Sequence, residues 1–289
     1  VLALSIVALA RPQWGTVERM VEQEGIEVMV ALDVSQSMLA QDIKPDRLSR
    51  AKMEIADLMA RLGGNEIGLV LFSGASFIQF PLTSDYATAR SFLDNARPQV
   101  ISRPGTAIGD AIRTAAAGFD MNRTSQKVIV LITDGENHEG DALAMAKQAA
   151  SQGILLYTIG FGSDQGEPIP QYNALGEVIG YKQDAQGEVV LSRLDEATLQ
   201  QIAELGGGQY YRATADGSEL AALVSEFDTL QKAELNTMLE TEGIERFQVF
   251  LILALAAMVA SEFIPDRVQR KVAGKRTAMR GQWSAVPGE

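Results

Sequence analysis

At 289 residues the chain is long enough for one large domain or two small ones. Its 46% hydrophobic and 21% charged residues are ordinary globular proportions and exclude a disordered or collagen-like chain. Cysteine is absent and His138 is the single histidine, which excludes a disulfide framework, a thiolate-held metal and a thiol nucleophile. A formal net charge of −12 argues against a general nucleic-acid binder, so no nucleic-acid partner is expected.

In chain order, residues 1–10 (VLALSIVALA) are apolar except for Ser5 and meet Arg11-Pro12-Gln13-Trp14. Ten helical residues cover about 15 Å, too little for a bilayer. Residues 1–14 therefore read as the end of a truncated transmembrane helix, with Trp14 as an interfacial anchor. A signal-peptide remnant is the alternative, but the small-residue cleavage pattern is missing.

From there apolar runs alternate with amphipathic stretches. Residues 26–32 (IEVMVAL) predict a strand, and residues 46–62 place Leu48, Ala51, Ile55, Leu58, Met59 and Leu62 at helical spacing before Gly63-Gly64. A second strand is expected over 67–72, with 76–82 pairing back on it as an edge strand. Helices follow over 86–96 and 107–119, then strands over 127–133 and 154–160 separated by a helix over 141–152. Residues 163–192 carry two turn signals, Asn173-Ala174-Leu175-Gly176 and Asp184-Ala185-Gln186-Gly187, and read as a β-ribbon insertion. A helix over 196–205, a strand over 209–212 and a helix over 219–239 complete the pattern. Met53, Met59, Phe92 and Phe119, on helical faces, are assigned to the core. Near-continuous apolar strands alternating with helices predict an α/β fold with a doubly wound, mostly parallel sheet.

Residues 247–264 (FQVFLILALAAMVASEFI) contain only Gln248, Ser261 and Glu262 as polar residues. Eighteen helical residues span about 27 Å, close to the ~30 Å hydrocarbon core, so this segment is expected to be a transmembrane helix rather than a buried core helix. The tail, 265–289, has six basic and two acidic residues (net +4), leaving −16 on residues 1–264. By the positive-inside rule the tail faces the cytoplasm and the acidic middle faces outward, although Arg11 opposes this weakly.

In doubly wound sheets, ligands bind beyond the carboxyl ends of the strands. Three such ends carry oxygen donors: Asp33-Val34-Ser35-Gln36-Ser37, Thr133-Asp134-Gly135, and Thr106 in the loop that opens the 107–119 helix. Asp33, Ser35, Ser37, Thr106 and Asp134 form a set with no nitrogen or sulfur, which suits Mg²⁺ first and Mn²⁺ or Ca²⁺ next. Each residue alone has a blander explanation, since serine and aspartate cap turns, and it is the three elements in order that indicate a metal site.

This pattern resembles the metal-ion-dependent adhesion site of a von Willebrand factor type A domain, covering about residues 24–235, and all five positions match. The resemblance implies that Ser35, Ser37 and Thr106 contact the metal through hydroxyls, and that Asp33 and Asp134 bind it directly or through water. Asp42-Ile-Lys-Pro-Asp-Arg-Leu, Pro81-Leu-Thr-Ser-Asp, Ser192-Arg-Leu-Asp-Glu, the closing apolar segment and the ribbon further resemble the bacterial aerotolerance (Bat) membrane proteins. One departure is Asn65-Glu66, where that group suggests Asp-Arg. The group implies location in a bacterial inner membrane with an outward-facing domain, sibling A-domain proteins and a MoxR-type AAA+ ATPase as pathway partners, and an envelope or stress role.

Three function classes follow. A binding module would use the metal's open position to capture an Asp or Glu of a protein partner. A phosphatase of the haloacid dehalogenase type would need a second acid where Ser35 stands, and a Ser/His/Asp hydrolase would need His138, which sits in a polar loop with no GxSxG elbow nearby. A passive membrane spacer would have no use for five ligands. The expectation is a non-enzymatic binding module.

Overall fold

The structure is a computed structural model that describes residues 9, 13–18, 25–136, 141–173, 175–214, 216–237, 241–245 and 247–262. It divides into two units, residues 22–237 and the two chain ends together.

In the larger unit the apolar runs become strands: β1 (Glu27–Asp33), β2 (Glu66–Phe72), β3 (Ser76–Thr83), β4 (Lys127–Thr133), β5 (Ile154–Gly160) and β6 (Gly207–Arg212). They form one six-stranded sheet in the order β6-β5-β4-β1-β2-β3. Every pairing is parallel except that of β2 with the edge strand β3. The helices are α1 (Arg47–Arg61), α2 (Tyr86–Asp94), α3 (Ile108–Ala116), α4 (Ala142–Ser151), α5 (Glu196–Leu205) and α6 (Ser218–Thr237). The fold is the expected doubly wound α/β sheet.

Strand periodicity explains the two cores. Alternate residues of a strand point to opposite faces. Val28, Val30 and Leu32 of β1 belong to one buried cluster, with Leu48, Ile55 and Leu58 of α1 and Leu223 and Phe227 of α6. Met29 and Ala31 belong to the other, with Ile108 and Ile112 of α3, Ala146 of α4 and Ile202 of α5. Because β1 is covered on both faces, all seven of its residues are buried, including Asp33 at its carboxyl end. Two residues assigned to the core are exposed instead: Met53 (44%) and Phe92 (43%), whereas Met59 and Phe119 are buried. Helix α1 buries positions 48, 51, 55, 58 and 59, and residue 53 projects from its outer side. On α2 the buried positions are Ala89 and Leu93, which leaves Phe92 at the margin, 6.2 Å from the ring of Phe80.

The amino ends of the strands are closed by a polar cluster. Asn65 accepts from the Ile26 amide (2.8 Å) and donates to the Leu62 carbonyl (2.6 Å), so the departure at Asn65 joins β1 to the end of α1. Arg123 bridges Glu27 and Glu66 at 2.8 and 2.5 Å. The carboxyl ends, Asp33, Phe72, Thr133 and Gly160, lie at the opposite edge.

The ribbon insertion forms with four short strands. Pro170–Tyr172 pairs with Val178–Tyr181, Glu167–Pro168 pairs with Leu191–Ser192, and Gln183 bridges Val189.

In the smaller unit, Gln13–Glu18 pairs antiparallel with Thr241–Glu245, placing Gln13 opposite Glu245. Helix α7 (Phe247–Glu262) follows. Among the described residues no helix is long and apolar enough to cross a membrane. The expected span over residues 247–264 is helical for its first 16 residues, about 24 Å, and residues 263 and 264 lie outside the described residues. Leu251, Ile252, Leu255 and Met258 of α7 are all more than half exposed. The expected spanning helix at the amino terminus, apart from Leu9, and the basic tail also lie outside the described residues.

Replacing Asn65 by Ala strips the buried Ile26 amide of its partner and takes one of two donors from the Leu62 carbonyl, which keeps the backbone amide of residue 65. Urea denaturation should show a loss of about 1–3 kcal/mol, and an unchanged midpoint would contradict this role.

Candidate metal centre

Each expected donor sits where a strand or helix begins or ends. Asp33 is the last residue of β1, and Ser35 and Ser37 follow as the chain turns into a short 3₁₀ helix, Gln36–Leu39. The turn is held by the Asp33 side chain, whose Oδ1 accepts from the Ser35 amide at 2.7 Å. The Ser35 and Ser37 hydroxyls lie 2.8 Å apart. Asp134 follows β4 directly, and Thr133 before it donates its hydroxyl to Oδ2 of Asp33 at 2.6 Å. Strands β1 and β4 are adjacent in the sheet, so the two aspartates end neighbouring strands.

Thr106 comes from a third loop, ahead of α3. That loop is fastened to the end of β2: the Ser73 hydroxyl donates to the Gly105 carbonyl at 2.8 Å and the Ala107 amide to the Ser73 carbonyl at 2.8 Å. Gly74 allows close approach, because a methyl group there would run into the Pro104 carbonyl. Gly105, at φ +114°, turns the chain so that Thr106 reaches the site. Ser35, Ser37 and Thr106 line one cavity of about 750 Å³, and its other wall is the ribbon, including Tyr172, Ile179 and Lys182. Asp33 and Asp134 lie fully buried. The structure thus gathers all five expected residues at the carboxyl end of the sheet. His138 lies outside the described residues.

Burying two carboxylates together has an electrostatic consequence. Asp33 is raised from 3.8 to about 7, first by burial and then by the charge of Asp134, against the hydrogen bonds from Thr133 and Ser35. Asp134 is also raised, first by burial and then by Glu136, while Ser37, Arg47 and Ser192 favour its ionised form. Among the described residues no three His, Asp or Glu side chains converge on a point. The donors are two carboxylates and three hydroxyls, the hard oxygen chemistry of a Mg²⁺-type ion, so the residues fit the group that the motif implies.

Sequence reasoning missed the supports of Asp134. Arg47, fully buried, donates from Nη1 to Asp134 Oδ2 (3.2 Å) and to the Ser192 hydroxyl (2.6 Å). The same guanidinium holds Asp42 in a bidentate pair at 2.8 and 2.7 Å. Ser192, at the end of the ribbon, itself donates to Asp134 Oδ2 at 3.0 Å. Asp42, Arg47 and Ser192 all stand in the short motifs shared with the aerotolerance proteins, and that was the available signal.

Comparison with known proteins supports the fold. The model of the von Willebrand factor type A domain matches residues 28–136, which include all five donors. A UPF0353 protein of Mycobacterium leprae (strain TN) is 30% identical over 279 residues, covering 90% of this chain and 75% of that protein. Among solved structures, the conserved hypothetical protein BatB from Bacteroides thetaiotaomicron is 42% identical, with a TM-score of 0.68 over 72% of this chain and all of that one. An aerotolerance-related membrane protein from Bacteroides fragilis NCTC 9343 is also 42% identical, with a TM-score of 0.67 over 71% of this chain and all of that one. The fold is that of a von Willebrand factor type A domain protein. The chain belongs to the UPF0353 family, and solved structures similar to it include BatB and an aerotolerance-related membrane protein.

The Asp33 shift sets a pH dependence. The folded chain holds the Asp33 proton more tightly than the unfolded chain, so stability in chelator should fall as pH rises from about 4 to about 7, then level off. Asp33→Asn should flatten that slope in thermal denaturation. An identical slope in the variant would assign the effect to other groups.

Proposed function

We propose that this protein is a membrane-anchored binding module that captures a protein partner through a divalent cation. Asp33, Ser35, Ser37, Thr106 and Asp134 would hold the ion, Mg²⁺ first and Mn²⁺ or Ca²⁺ as alternatives. When bound, the ion supplies positive charge and a coordination position that a partner's Asp or Glu carboxylate can fill. The observation that carries this reading is the pair of fully buried aspartates beneath hydroxyls that line an open cavity. Uncompensated, two adjacent buried carboxylates oppose ionisation, and a cation relieves both the desolvation and the repulsion. Ser35 stands where a phosphatase of the haloacid dehalogenase type would need its second acid, so the module is read as non-enzymatic.

Membrane anchorage rests on the chain ends. Helix α7 is apolar on all sides, which suits a helix surrounded by apolar material. The antiparallel pairing of Gln13–Glu18 with Thr241–Glu245 supports a common anchor for the two chain ends. The Bacteroides fragilis relative is described as a membrane protein. In this reading the protein sits in a bacterial inner membrane, with the A domain outside and the basic tail inside. Its partners are sibling A-domain proteins of the Bat type and, in the same pathway, a MoxR-type AAA+ ATPase.

Two experiments test the reading. Titration of Mg²⁺ into the full chain should give one saturable site that Asp33→Ala abolishes while the circular dichroism spectrum is kept. Co-purification of sibling A-domain proteins should be lost in the same variant and in EDTA, and capture that ignores both would remove the metal from the interaction. Separately, a reporter active only in the periplasm should be silent when fused after the tail, and activity there would reverse the orientation.

A further inference from the structure

The carboxylate of Asp134 is held asymmetrically. Its Oδ2 accepts two hydrogen bonds, from Arg47 Nη1 at 3.2 Å and from the Ser192 hydroxyl at 3.0 Å. A carboxylate oxygen has two lone-pair sites, so Oδ2 is saturated by protein donors. Oδ1 accepts from the Glu136 amide at 3.2 Å, and the Ser37 hydroxyl, one of the five donors, also hydrogen-bonds this carboxylate. Asp134 can therefore offer a cation, or a water bound to it, only one oxygen.

This arrangement is built from three distant parts of the chain. Arg47 begins α1, and its fork is fixed from the far side by the bidentate pair with Asp42. Its Nη2 also donates to the Ser192 carbonyl at 3.3 Å. Ser192 ends the ribbon, and the amides that follow tie that exit to the same loop: Arg193 donates to the Glu136 carboxylate at 2.9 Å and Asp195 to the Asp134 carbonyl at 2.8 Å. Gly162 leaves room for the guanidinium, since a methyl group there would stand 3.0 Å from Arg47 Cζ. Arg47, Asp42 and Ser192 are all buried or nearly so.

We infer that Arg47 and Ser192 are positioning residues that set the ion selectivity of the centre, by holding Asp134 to single-oxygen coordination and so favouring Mg²⁺ or Mn²⁺ over Ca²⁺. Ca²⁺ takes six to eight oxygens and readily uses both oxygens of a carboxylate, whereas Mg²⁺ requires six in near-octahedral geometry and keeps several waters. A saturated Oδ2 removes the bidentate option that the larger ion would use. The positive charge of Arg47 opposes every divalent ion alike, so it cancels in the ratio of two affinities, and the geometry does not. This inference rests on the reading of the five residues as a cation site.

The test is isothermal titration of the full chain with MgCl₂, MnCl₂ and CaCl₂, together with the melting temperature in chelator. Ser192→Ala removes one donor from Oδ2 without altering charge. Asp42→Asn combined with Arg47→Met removes both charged partners of the buried ion pair and keeps a test available should Arg47→Met alone fail to fold. The ratio of the Ca²⁺ to the Mg²⁺ dissociation constant should exceed one in the parent. It should fall about tenfold in the double variant, the scale on which supporting residues act at metal sites, and fall in the same direction in Ser192→Ala. Lower melting temperatures with an unchanged ratio in both variants would make the network scaffolding only and overturn the inference. A parent chain that binds none of the three ions would overturn the cation site itself, and the selectivity with it.

Discussion

Two carboxylates buried side by side, Asp33 and Asp134, are the constraint from which the rest of the site follows. Removing an ionised carboxylate from water is costly, and placing a second beside it adds repulsion to desolvation. The chain meets that cost with donors on the oxygens of both acids: Thr133 and the Ser35 amide on Asp33, Arg47 and Ser192 on Asp134. Those bonds leave Asp33 still raised to about 7. A positive ion would relieve both the desolvation and the repulsion, which is the physical basis of the proposed cation-dependent contact.

The doubly wound sheet is what makes such burial possible. Strands β1 and β4 lie at its centre, covered on both faces, so residues at their carboxyl ends inherit the dryness of the core while the loops beyond reach solvent. The ribbon adds a wall over the same end of the sheet, and through Ser192 it touches Asp134 directly. A partner seated in the cavity would meet the ribbon and the site together. In the proposed role the ribbon would form part of the recognition surface.

Much of this was legible in the sequence, because its signals are local. Unbroken Val, Ile and Leu runs announce buried strands, and Asp33-x-Ser35-x-Ser37 lies within five residues at the end of one of them. Gly63-Gly64 marked the end of α1 correctly, and the structure adds that Asp46 caps its start by accepting from the Ser49 amide. Met53 and Phe92 were misassigned because an apolar side chain on a helix says nothing of which face the sheet covers. The role of Arg47 escaped for a deeper reason: it lies 87 residues from Asp134 and 145 from Ser192, and an arginine at the start of a helix usually faces water. Only the meeting of the start of α1, the end of β4 and the end of the ribbon brings those three together.

The most direct measurement is anomalous diffraction from a crystal of the protein grown with Mn²⁺. An anomalous peak should lie between Asp33 and Asp134, within coordination distance of the Ser35, Ser37 and Thr106 hydroxyls, and contact a single oxygen of Asp134 directly or through water. A crystal at saturating Mn²⁺ with no peak at that position, the two carboxyls instead joined by a shared proton, would contradict the assignment of this site as a cation centre.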